Sequence, residues 1–150
     1  MRKLTLWVSL AVVLAIGLAI VAAFQFGDKS PIFAAGELSI APELETAAQN
    51  IDTLYITVFD AESAMPMPYG AMRQRLSSPA KGSFVHFQIT PEKLQVMNPS
   101  RPKPKSMRIK ARPDLAGVAG MEQSGDLTGA VTGVPFGTTN VAITISQQVE

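Results

Sequence analysis

His86 is the single histidine of a chain that contains no cysteine. A Ser-His-Asp catalyst could use it, but no Gly-x-Ser-x-Gly elbow accompanies it, and a lone histidine on a strand's second face is more often structural. Met65-Pro66-Met67-Pro68 adds thioether sulfur, a soft donor that together with His86 could hold Cu(I) in an exported domain. The same four residues also suit a turn that proline stiffens and methionine fills. Without cysteine, disulfides, thiolate metal sites, cysteine nucleophiles and covalent c-type haem attachment are excluded. Glu43/Glu45 and Asp60/Glu62 are acidic pairs without metal-ligand spacing. The glycines of 117–120 and 125–137 lack the strand–helix setting and the lysine of a phosphate loop. No catalytic residue, metal site or cofactor is therefore expected.

The densest charge lies between residues 101 and 112. Arg101, Lys103, Lys105, Arg108, Lys110 and Arg112 follow one another with no acid among them. Such a strip can engage anionic lipid headgroups or an acidic partner, and these six residues form the candidate partner-binding surface. The plainer reading is a solvated strand face, because Arg108, Lys110 and Arg112 alternate with Met107, Ile109 and Ala111.

The elements that must carry these residues follow a period of two. Val141, Ile143 and Ile145 alternate with polar residues, and so do Val85, Phe87 and Ile89, with His86 and Gln88 on the opposite side. Residues 53–59 are apolar on both faces, Leu54, Ile56 and Val58 opposing Tyr55 and Phe59, as in an inner strand of two packed layers. Residues 36–40, 70–76 and 127–134 are weaker strands. About seven short strands with dense Gly/Pro punctuation predict a small antiparallel β-sandwich or barrel-like domain. Residues 42–50 are the one helix expected after the N-terminal segment, with Pro42 in its first turn and Glu43 and Glu45 near its positive end. Residues 99–104, with three prolines, read as an extended loop.

Residues 4–26 contain no charge over 23 positions, preceded by Arg2 and Lys3 and followed by Asp28. As a helix this run is about 34 Å long, enough for a hydrocarbon core of about 30 Å. The flanking charges orient it with the basic end in the cytoplasm and the remaining chain outside. A cleaved signal peptide is the competing reading, since Val21-Ala22-Ala23 offers small residues near a cleavage point. The resulting organisation is a transmembrane anchor over 1–27, a tether over 28–35 and a β-domain over 36–150. Beyond residue 27 the chain has 11 basic and 12 acidic residues, a net charge of −1, which does not fit a globally basic nucleic-acid binder.

Asp52-Thr-Leu-Tyr-Ile-Thr-Val-Phe59, Met65-Pro-Met-Pro-Tyr-Gly-Ala-Met-Arg73, Ile109-Lys-Ala-Arg112, Gly125-Asp-Leu-Thr-Gly129 and the closing strand occur in an order that resembles the C-terminal periplasmic domain of the CcmI/CycH family of c-type cytochrome maturation proteins. The likeness spans roughly residues 36–149 and rests on the series, since no single motif is chemically diagnostic. It implies a non-catalytic domain on the periplasmic side of a bacterial inner membrane, working beside apocytochrome c or the haem-ligation machinery. The chain departs from the family in having one apolar run and no helical repeat. The expected function is an accessory or chaperone-like factor in cytochrome c maturation or respiratory-complex assembly. A structural subunit of a membrane complex and a periplasmic copper handler are the alternatives.

Overall fold

The computed structural model describes residues 31–64, 67–77, 80–114 and 122–150. The predicted anchor over 1–27 and the start of the tether lie outside these, as does Met65. Among the described residues, no helix is long and apolar enough to cross a membrane.

The fold is all-β, as the period-two pattern requires. In chain order the strands are β1 (Ala34–Ile40), β2 (Thr53–Asp60), β3 (Pro68–Arg75), β4 (Ser83–Ile89), β5 (Gln95–Val96), β6 (Ser106–Asp114), β7 (Leu127–Pro135), β8 (Thr138–Ile145) and β9 (Gln147–Gln148). They make a three-stranded sheet, β4–β1–β8, and a six-stranded sheet, β5–β3–β2–β6–β7–β9. The two sheets bury a shared sandwich-like core. Leu38, Ile40, Phe87, Ile89, Ile143 and Ile145 come from the smaller sheet, and Leu54, Ile56, Val58, Met72, Met107 and Ile109 from the larger.

Two expectations change. The sheet pairing is not wholly antiparallel, because β1 runs parallel to β8, with Leu38 opposite Ile143. A parallel pair needs a long crossover, and five strands of the six-stranded sheet (β2, β3, β5, β6 and β7) intervene in the chain between these two. The helix expected over 42–50 is a 3-10 turn (Pro42–Leu44) followed by turns. Such a short segment nucleates helix poorly without packing on many turns. It works instead as a plug, burying Ala48 and Ile51 completely or nearly so. β1 itself begins at Ala34, and Phe33 before it is already buried.

Two glycines let neighbouring strands approach closely, one within the three-stranded sheet and one between the sheets. A Cβ on Gly36 would stand 1.8 Å from the Val141 carbonyl oxygen, where β1 meets β8. A Cβ on Gly129 would stand 2.2 Å from the Thr144 carbonyl oxygen, where β7 and β8 cross. The β7–β8 hairpin turns at Gly137, whose φ is 90°, and the Thr138 hydroxyl donates to the Pro135 carbonyl at 2.8 Å. This hairpin carries the chain from the six-stranded sheet into the three-stranded one.

Candidate functional site: a guanidinium-covered sheet face

β2, β3 and β6 lie side by side, so the register assigns each residue's face. Leu54, Ile56 and Val58 point into the core, and their alternates Tyr55, Thr57 and Phe59 occupy the outer face of the six-stranded sheet. Across β2, Tyr55 has Arg73 on one side and Arg112 on the other. One row along, Thr53 lies between Arg75 and Asp114, and at the far end Phe59 lies beside Arg108. Five cations thus share one sheet face: Arg73, Arg75, Arg108, Lys110 and Arg112.

Among the described residues, no further strand layer packs on the second apolar face of β2. Its rings are capped by cations. The Arg108 guanidinium carbon stands 4.4 Å from the Phe59 ring centroid, and that of Arg112 stands 5.2 Å from the Tyr55 centroid. Guanidinium binds well here because it is planar, weakly hydrated and attracted to the ring quadrupole. Tyr55 and Phe59 are left half-buried.

Arg112 departs from the sequence reading. Its strand phase is as predicted, facing away from Met107, Ile109 and Ala111, yet its side chain is only 9% exposed. Asp126 approaches it at 3.3 Å and Asp114 at 3.8 Å. Asp126 also accepts from the Gln123 backbone N–H at 2.9 Å, which locks its carboxylate into the turn before β7. Lys110 is half-buried and paired with Glu122. Arg112 is therefore enclosed by its own ion pairs, whereas Lys110, a third exposed, is paired with Glu122 at the surface. Among the described residues, no buried polar side-chain atom lacks a hydrogen-bond partner.

The remaining members of the strip divide by place. Arg108 is exposed on the sheet face. Arg101, Lys103 and Lys105 lie on the loop before β6, at the end of the sandwich where β1 begins. Arg101 Nη1 donates to the Pro68 carbonyl at 3.4 Å, and Lys103 Nζ sits over the Phe33 and Phe136 rings at 5.5 and 5.6 Å. The exposed cations that join Arg108 on the sheet are Arg73 and Arg75. The sequence reading missed both, although their alternation with the buried Met72 is a signal it could have used.

An open groove of about 850 Å³ is lined by Glu37, Arg73, Gln74, His86, Lys93 and Asn140, among others. His86 is exposed, as expected, and its carbonyl accepts from Gln74 Nε2 at 3.3 Å. Met67 stands seven positions before Gln74 along β3, about 24 Å at the usual strand rise. Met67 and His86 therefore flank different ends of β3, and Met65, the other thioether of the copper reading, lies outside the described residues. Among the described residues, no three His, Asp or Glu side chains gather as a metal site. No protein-family model, curated protein or solved structure matches the chain.

Proposed function

We propose that the protein is a membrane-held, non-catalytic binding module of the bacterial periplasm. Its guanidinium-covered sheet face holds an acidic protein partner at the outer side of the inner membrane. The observation that carries this reading is the set of three exposed arginines, Arg73, Arg75 and Arg108, on one sheet face whose inner cations are already paired. Arginine forks bind carboxylates in bidentate fashion, and a β-sheet presents them in fixed rows. Confinement to one membrane surface raises the partner's effective concentration, so modest affinity suffices.

The resemblance of residues 36–149 to the cytochrome-maturation family supports a role in c-type cytochrome maturation or respiratory-complex assembly. Tagged full-length protein purified from detergent-solubilised membranes should recover haem-ligation components, apocytochrome or a respiratory complex. Deletion should lower holocytochrome or complex levels. Normal c-type cytochromes in the deletion strain, with stoichiometric recovery in an unrelated complex, would replace the maturation role with that of a structural subunit.

A further inference from the structure

We infer that the end of the sandwich where β1 begins rests on an anionic lipid surface. Met67 and Met97 enter the headgroup layer there, while Arg101, Lys103 and Lys105 meet lipid phosphates. Among the described residues, Met67 and Met97 are the large hydrophobic side chains left exposed, at 55% and 56%. They stand together. The Met97 N–H donates to the Tyr69 carbonyl at 3.0 Å, and Met67 lies two positions before Tyr69.

The basic residues join the same patch. Arg101 is tied to the Pro68 carbonyl between the two methionines, and Lys103 covers the Phe33 and Phe136 rings, whose centroids are 4.6 Å apart and whose planes are tilted by 49°. The Phe136 N–H donates to the Lys105 carbonyl at 3.3 Å, which fixes the basic loop against the β7–β8 turn. Flexible apolar side chains beside cations on an aromatic support are what an interfacial membrane site requires. Two carboxylates, Asp60 and Glu62, stand where β2 ends, so the patch is only moderately cationic and its lipid affinity alone is weak.

Chain length supplies what affinity does not. The inference rests on the membrane-held reading above. If residues 4–26 span the bilayer, the seven residues 27–33 reach at most about 24 Å before Phe33, which belongs to this same patch. The patch is therefore the part of the domain held closest to the headgroups. Docking it there leaves the Arg73–Arg75–Arg108 face standing upright and open to a partner.

The chain has no cysteine, so single-cysteine variants label cleanly. Met67→Cys, Met97→Cys and, as the control near the opposite end, Ser124→Cys would carry an environment-sensitive fluorophore in the full chain. Each would be reconstituted into vesicles of phosphatidylcholine with or without phosphatidylglycerol. With phosphatidylglycerol present, a headgroup nitroxide should quench the labels at 67 and 97 at least about twofold more than the label at 124. Reversing Arg101, Lys103 and Lys105 to glutamate should bring them down to the control level. Equal quenching at all three sites in protein that still co-floats with vesicles after alkaline carbonate would overturn the docking and leave the anchor standing. Failure to co-float would overturn both. Blue-shifted emission at 67 and 97 without lipid quenching would mean that protein covers the patch, and would overturn the lipid assignment.

Discussion

Replacing Arg112 with methionine keeps most of the side chain's length and removes its charge. The consequences follow from what surrounds it. Arg112, Asp114 and Asp126 have side-chain exposures of 9%, 8% and 19%, so two carboxylates would remain largely desolvated with their shared cation gone. Breaking a buried ion pair from one side costs about 3–5 kcal/mol. The lost contact with the Tyr55 ring adds about 0.5–1 kcal/mol. A total of about 4 kcal/mol corresponds to a fall in Tm of roughly 15 °C for a domain of this size. Thermal and urea unfolding of the full chain, followed by circular dichroism in detergent, would measure it. Converting Asp114 and Asp126 to asparagine in the same background should restore at least half of the loss, because the uncompensated charges are then gone. A methionine variant within about 1 kcal/mol of the parent would refute the buried triad.

Three further outcomes are expected. Gly36→Ala and Gly129→Ala should each cost about 3 kcal/mol or more, since the new methyl group collides with backbone that has no room to yield; a Gly133→Ala control, strained at φ 78° but sterically open, should cost only about 1–2 kcal/mol in the same unfolding assay. Arg108→Glu should lower stability by no more than about 1 kcal/mol, because it loses one exposed ring contact, yet it should weaken partner recovery and flatten its salt dependence. Protease added to intact spheroplasts should degrade the domain beyond residue 27, and full protection would reverse the topology expected from Arg2 and Lys3.

Alternation made most of the core legible in advance. Val141, Ile143 and Ile145, and likewise Met107, Ile109 and Ala111, are buried as their spacing requires. Period two reports which face a residue takes, and nothing about which strand lies beside it. The parallel partnership of β1 with β8 was therefore invisible, as was β5, at two residues too short to show a period. Arg112 illustrates the same limit at the candidate site. Its phase was readable, but its cover comes from Asp126, fourteen residues further on across a turn. The charge of residues 101–112 is contiguous in sequence and so is readable there. Arg73 and Arg75 reach the same face only through the β2–β3 ladder, which no local pattern displays.

The outer face of the six-stranded sheet is the proposed partner-binding surface. A photo-reactive benzoylphenylalanine at Arg73 or Arg108 in the full-length protein, crosslinked in intact cells, tests it most directly. Adducts with a component of cytochrome maturation or a respiratory complex should form from both positions, vanish when the remaining exposed arginines are reversed to glutamate, and be absent from a probe at Thr144 on the outer side of the three-stranded sheet. Adducts that form equally well from Thr144, or that persist after charge reversal, would contradict this assignment.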